Sequence, residues 1–535
     1  MYNIKENCLE WSLNHLKKYY DSDFYPKLFE FKAIAHNWDN VKNYILSLDI
    51  ENYIPSSPVL NLAFKSNISF RVVHQLDPID SLIFTALVYE VSEKIENYRI
   101  PESEMIACSY RVKTDLNSFF DKDDTGYKNY IRRIEYLSKK FKDGFILFCD
   151  ITDFYNQIYT HRIQNIVSEA GNGEFNLQSK VLENFLLGLN KNTSRGVPVG
   201  PASSIILAEA IMADIDKKIM NYTREFVRWV DDIRIFTKTR EEAILILHDL
   251  SKYLYSSHRL VLSSEKTSIE STELFIHHYF ENEEKEEQKA ILNEVDELAK
   301  EKAEEIINEV FDQRGIYGFD IDEIDIDYDK IYSDILTKDQ FKVLSKAYSK
   351  ILKINLSKKN INIGILRYIL RKSTILRIRE ILPIVLDNFE KLLPVLREIT
   401  IYLNRVINSS IVSRYSSHFR RITENYYMKF PFINHWISHL LQNKSFNTIN
   451  LPKNYDNIDA IRDKTLIALR KNDATWIKDY KDNIDILGVW DRRAVLFASQ
   501  ILSYDEMIKW SNTVAARGDI IDKSIASYIC SLKSP

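Results

Sequence analysis

A chain of 535 residues is long enough for two to four domains, each burying a real core, and its 45% hydrophobic and 12% aromatic content excludes disorder. A net charge of −4 excludes a global basic field, so any nucleic-acid site has to be local. Four scattered cysteines (Cys8, Cys108, Cys149, Cys530) predict neither a disulfide framework nor a zinc module. The N-terminal stretch lacks a signal-peptide apolar core, and no uncharged run of about 18 residues could span a membrane, so the expectation is a soluble cytoplasmic protein.

Only 12 glycines and 12 prolines point to a helix-rich chain with short connections. Residues 1–65 read as a helical N-terminal extension, with Leu9, Leu13, Leu16 and Tyr20 at helical spacing and tyrosines expected on its surface. A strand follows at Ile68–Val73, then a helix at Asp77–Asn97 and a strand-like run at Met105–Lys113. The basic stretch Lys128, Arg132, Arg133, Lys139, Lys140 and Lys142 is either a solvated helix face or a surface that tracks phosphates.

FILFCD then forms an apolar strand ending on Asp150 and hands over to a helix-like run. After a helix over 182–190 comes the rigid loop Arg195–Pro201, which leads into the helical SSIILAEAIMADIDKKI. FVRWVDDIRIF alternates on both sides of Asp231-Asp232, which predicts a β-hairpin with the acidic pair at its turn. A helix over 241–255 precedes RLVLSSEKTSI and the strand-like ELFIHHYF, whose His277-His278 reads as a strand-edge pair. A charged connecting segment occupies 281–334. Its FDIDEIDIDYD lacks the mid-loop Gly and terminal Glu of a calcium loop. Residues 335–535 are successive amphipathic helices, which predicts an α-helical, HEAT-like array.

Adjacent carboxylates disfavour each other's ionisation, and a metal ion resolves that conflict. Nucleotidyl transfer calls for two divalent ions about 3.5–4 Å apart, and hard carboxylates suit Mg²⁺. Asp150 at a strand end, followed by Asp231-Asp232 at a hairpin tip, is the way a polymerase palm presents such ligands. The alternatives are a helix N-cap for Asp150 and a plain turn for the pair.

The order of motifs over 66–280 resembles a reverse transcriptase. FCDITDFYNQIYTH resembles its motif A, which implies Asp150 as a metal ligand, the Ile151 carbonyl as a further ligand, and Tyr155 as a steric gate against a ribose 2′-hydroxyl. RGVPVGPASSIILAE resembles motif B, placing Gly200 and Pro201 against the nucleotide. WVDD corresponds to the Y-x-D-D box, with Trp229 in place of the usual Tyr. LSSEKT resembles motif D and makes Lys266 a general acid for the leaving pyrophosphate. FRVVHQLDPID and CSYRVKTD resemble the fingers motifs, which implies Arg111 and Lys113 on the triphosphate. Plain readings stay open beside these: core for Tyr155, surface for Lys266, a structural ion pair for Arg111.

With its helical C-terminus, the set resembles most the bacterial abortive-infection, defence-associated reverse transcriptases. The fold implied is α+β: right-hand fingers and palm, then an all-α domain. The resemblance implies an RNA-directed DNA polymerase-like enzyme with two Mg²⁺ (or Mn²⁺) that makes DNA from dNTPs. It further implies priming from a tyrosine of the protein itself without a template, a DNA product attached there, and a homo-oligomer in antiphage defence. Tyr2, Tyr19, Tyr20 and Tyr25 are primer candidates on the expectation that the N-terminal segment is exposed. Two other readings are an RNA-templated enzyme using a noncoding RNA and a catalytically silent polymerase-fold scaffold. A fused RNase is disfavoured, because Arg414 and His418 stand one residue too close for its motif.

Overall fold

The computed structural model describes residues 2–279, 338–448, 458 and 460–533, apart from 20, 23, 67, 115–116, 121–125 and 360. The charged connecting segment and its acidic run lie outside the described residues. Three helices open the chain: α1 (Glu6–Lys18), α2 (Glu30–His36) and α3 (Trp38–Leu46). An antiparallel hairpin follows, β1 (Val59–Ser66) and β2 (Ser69–Gln75), in a register that pairs Phe64 with Phe70. Helix α4 (Pro78–Tyr98) starts on Asp77, whose carboxylate accepts from the Ile79 amide, with Pro78 at a first-turn position that needs no N–H. Its first half, Pro78–Val88, is buried at every position because it runs through the core, and its second half turns a charged face outward.

The palm is built from α5 (Gly126–Lys140), β3 (Phe145–Asp150), α6 (Phe154–Gln157), α7 (Thr160–Ala170), α8 (Asn176–Leu189) and α9 (Ala202–Met220). It continues with β4 (Phe226–Trp229), β5 (Asp232–Thr237), α10 (Arg240–Tyr253), β6 (Ser268–Ser271) and α11 (Thr272–Tyr279). Its sheet runs β4-β5-β3-β6, each neighbouring pair antiparallel. α9 is buried along nearly its whole length, as its run of small and aliphatic residues requires. The hairpin expected around Asp231-Asp232 is present as β4 and β5.

Two local expectations are corrected. Met105–Lys113 is a loop with isolated bridges at Ala107 and Val112, broken by positive φ at Met105 (52°) and Tyr110 (46°). ELFIHHYF belongs to helix α11. Phe275 and Tyr279, one turn apart, stack at 4.9 Å, and His277-His278 lies exposed on the helix rather than at a strand edge.

The described C-terminal residues form helices, among them Ile363–Ile375, Leu396–Val406, Pro431–Leu441, Ile461–Lys471, Val489–Ala498 and Ile520–Leu532. One apolar cluster joins α1–α4 and the palm to side chains from Ile477 to Ile529. A second joins Leu344–Phe446 to Ala63, Phe64 and Val73 of the β1–β2 hairpin and to Val199. Buried ion pairs cross the same seams: Arg462 grips Glu30 through two bonds of 2.7 and 2.9 Å, and Arg493 meets Asp77 at 2.6 Å.

The N-terminal extension is therefore not an exposed arm. Tyr2, Tyr19 and Tyr25 are only 6%, 3% and 4% exposed, because the Leu9/Leu13/Leu16 stripe is buried and Trp11 stacks on Tyr89 at 4.0 Å. The Tyr2 hydroxyl is bonded to Glu90, and that of Tyr25 donates to the Val73 carbonyl at 3.3 Å. Tyr20 lies outside the described residues.

Candidate active site

β3 and β5 are neighbouring strands, and their register sets Asp150 directly opposite Asp232. Asp231 occupies the turn beside them. The turn is strained: Val230, a β-branched residue, has φ 53°, a conformation that costs about 1–3 kcal/mol unless its surroundings enforce it. Here they do. The Val230 amide donates to Ser109 Oγ at 2.9 Å, and its carbonyl accepts from Arg228 Nη1 at 3.2 Å. Arg228 is wholly buried and grips Asp216 of α9 with bonds of 2.7 and 2.8 Å. It also lies 2.8 Å from Glu209, which in turn meets Arg99 at 2.7 Å and accepts from Ser109 Oγ at 2.5 Å. The 105–113 loop, α9 and the β4–β5 hairpin are thus tied by one buried polar network.

Burial, and then the charge of Asp150, push Asp231 up to about 6. Asp232 is also raised, first by burial, against the opposing pull of Arg234. Two cations answer this crowding of negative charge. Lys266 Nζ donates to Asp150 Oδ1 at 2.7 Å, and Arg234 Nη2 stands 3.5 Å from Asp232 Oδ2. The Lys266 turn is stitched to the end of β3: the Ser263 amide donates to the Asp150 carbonyl at 2.7 Å, and the Thr152 amide to the Val261 carbonyl at 2.9 Å. Ile151 is buried in this stitch, bridged to Leu262.

The donor set suits a hard divalent ion, since two of the three carboxylates are held in a mutual repulsion that such an ion relieves. Among the described residues no three potential ligand side chains form a closed cluster by themselves. Mg²⁺ is commonly held by one or two carboxylates plus substrate phosphates, so an open, phosphate-completed site fits Asp150, Asp231 and Asp232. Bound there, the ion would supply activation of a hydroxyl and neutralisation of phosphate charge.

Loop 194–201, expected to lie against the nucleotide, packs beside the turn that follows Asp150. The Gly196 amide donates to the Ile158 carbonyl at 2.8 Å and the Val197 amide to the Tyr155 carbonyl at 2.9 Å, fastening this loop to the turn after Asp150. Tyr155 is half-buried, and burial holds its hydroxyl well above the usual tyrosine range. Gly200 has φ 135°; a Cβ there would lie 3.2 Å from the His74 carbonyl and run into Ser22 Oγ, so only glycine fits. Pro201 precedes the first turn of α9. His74 was not singled out from the sequence. Its ring accepts from the Val199 amide at 3.0 Å and its own amide donates to the Val199 carbonyl at 2.9 Å, so the fingers hairpin holds this loop in place. Burial lowers His74 to about 4, keeping the ring neutral as that bond requires.

The expected triphosphate contact at Arg111 is corrected. Arg111 is 4% exposed, ion-paired with Glu96 at 2.8 Å and bonded to the Ile100 carbonyl, so the ion-pair alternative describes it. Glu96 ends α4 directly beside this loop and claims the guanidinium. Lys113 is exposed, its backbone amide bonded to Phe119. Arg71, on β2, is exposed and within electrostatic reach of Tyr155; the alternation of FRVVHQ was the signal that could have found it.

Two further features escaped the sequence. Trp229 is enclosed by Tyr110, Tyr127 and Tyr130 at 6.0, 5.3 and 5.9 Å. The Arg234 guanidinium lies among four rings, with Tyr130 and Tyr279 at 5.3 Å and Phe148 and Phe275 at 5.7 Å.

An antiparallel sheet presenting acids from a strand end and an adjacent hairpin turn, beside a lysine and a glycine-punctuated loop, defines a nucleotidyltransferase of the polymerase-palm class. Residues 72–309 match the family model "Reverse transcriptase (RNA-dependent DNA polymerase)", so that stretch, which contains all three aspartates, is similar to a reverse transcriptase domain. Among solved structures, telomerase from Candida albicans in complex with a fragment of telomeric RNA is similar over 86% of this chain and 72% of that one, at 11% identity and a TM-score of 0.30. Curated proteins yield no match.

Proposed function

We propose that this protein synthesises DNA from dNTPs by two-metal-ion catalysis at Asp150, Asp231 and Asp232, in a defence reaction of the abortive-infection kind. The observation that carries the polymerase reading is the opposed pair Asp150 and Asp232 with Lys266 bonded to the former. In this reading the carboxylates hold the two ions, and Lys266 leaves Asp150 to protonate the departing pyrophosphate. Tyr155 limits the space beside the sugar.

The finer part of the reading is protein priming without a template, by a homo-oligomer in the bacterial cytoplasm. It draws its support from the motif set and the helical C-terminal region. The burial of Tyr2, Tyr19 and Tyr25 turns the search for the nucleophile toward Tyr127, which is 56% exposed and packs edge-on against Trp229 at the catalytic turn. A phenol there can serve in place of a 3′-hydroxyl once deprotonated beside a metal ion.

The test is incubation of the purified chain with Mg²⁺ and labelled dNTPs, without nucleic acid, followed by denaturing electrophoresis. A protein-linked ladder is expected, absent in Asp231→Ala/Asp232→Ala and lost in Tyr127→Phe. Synthesis only on an added primer and RNA template would replace this version with the RNA-templated one. No incorporation under either condition would leave the scaffold reading.

A further inference from the structure

We infer that the outer face of α5 is a binding surface for single-stranded nucleic acid, running away from the catalytic hairpin. Lys128, Arg132 and Lys139 follow one another at one-turn and two-turn spacing, so they form a single stripe. All three are exposed, and among the described residues none has an ion-pair partner. Beside the stripe stands Tyr136, 54% exposed. Its ring is backed by two other cations of the helix, Arg133 at 5.8 Å and Lys140 at 5.9 Å from its centre.

Those two are already engaged: Arg133 donates to the Arg224 carbonyl at 2.7 Å, and Lys140 pairs with Glu225 at 2.6 Å. They fix the ring's position, and the unpaired row remains for a ligand. Glu135 is the one acid on that face.

The combination selects among ligands. A basic stripe alone fits any polyanion, but an exposed aromatic ring held in place offers a flat surface for an unpaired base, and a duplex has no unpaired base to offer. The N-terminal turn of α5 carries Tyr127 and Tyr130, both packed on Trp229, so the stripe begins at the catalytic turn. Only the direction of the strand rests on the polymerase reading. The binding surface itself does not.

The experiment is fluorescence anisotropy of a labelled oligonucleotide of about 15 nucleotides, single-stranded or duplexed, against the full chain without dNTPs. It is repeated on Asp231→Ala/Asp232→Ala, so that a failure of catalysis cannot be mistaken for a failure of binding. Single strands should bind more tightly than duplex. Tyr136→Ala should weaken them about tenfold and Tyr136→Phe hardly at all. Lys128→Gln/Arg132→Gln/Lys139→Gln, with unchanged circular dichroism, should lower the slope of log affinity against log salt by about 2. Unchanged affinity and slope in these variants, or tighter binding of the duplex, would overturn the inference.

Discussion

Lys266 Nζ sits 2.7 Å from Asp150 Oδ1, so the residue assigned to protonate the leaving group also holds a carboxylate oxygen that a metal ion would use. The two roles compete for the same atom. Lys266→Gln is expected to slow single-nucleotide incorporation about a hundredfold, within the span of a lost general acid, while lowering the Mg²⁺ concentration for half-maximal rate. Incorporation against Mg²⁺ concentration reads both. A slower rate with a higher metal requirement would mean that the lysine helps to place Asp150 rather than guarding it.

The Val230 turn gives a second prediction. Ser109→Ala removes the acceptor for the Val230 amide and a donor to Glu209, a loss of about 1–2 kcal/mol at a strained site. kcat is expected to fall about tenfold with KM for dNTP nearly unchanged, because the turn and not the nucleotide pocket loses its hold. Steady-state kinetics on wild type and variant would show this, and a change confined to KM would contradict it.

Arg234 should act on the site through Asp232. Arg234→Met keeps an apolar stem among the four rings but removes the charge 3.5 Å from the carboxylate. The expected outcome is a melting temperature within a few degrees of wild type and incorporation reduced about tenfold. Equal incorporation in the two proteins would reduce Arg234 to a packing residue.

Asp80 predicts a pH dependence of stability far from the site. Burial, then the charge of Asp77, raise it from 3.8 to about 7, although Tyr53 and the Ser56 amide both donate to it. A carboxyl raised on folding favours the folded state when protonated. Its contribution is complete below about pH 4 and is lost as pH climbs through 7. Asp80→Asn cannot titrate, so the difference in unfolding free energy between variant and wild type, read from denaturant titrations, should move in the variant's favour between pH 5 and pH 9, by an amount of order 2–4 kcal/mol. A difference that stays flat over that range would place the ionisation elsewhere.

The palm was legible in the sequence because its chemistry forces local signatures. An acid closing an apolar strand, a loop needing glycine at φ 135° and an alternating hairpin around Asp231-Asp232 each leave a mark within a few residues. What could not be read depends on partners distant along the chain. Arg111 has the local setting of a phosphate ligand, and only the fold brings Glu96, in the last turn of α4, against its guanidinium. Arg228 and Ser109 had no local feature to separate them from ordinary strand and loop residues; their roles exist only where α9 and the 105–113 loop meet the hairpin. ELFIHHYF failed for a different reason: a short apolar run fits either period, and the stacking of Phe275 on Tyr279 decided for the helix.

The seam between the two ends of the described chain has a consequence for how the protein comes into being. Arg493 reaches Asp77 at the cap of α4, and Ile521, Ile525 and Ile529 share one apolar cluster with Leu9, Phe31 and the palm. On the ribosome, the fingers and palm would emerge long before the helices that finish burying them. The nascent chain would hold apolar surface uncovered until Ile520–Leu532 is made, so the fingers and palm cannot finish packing before those residues follow them.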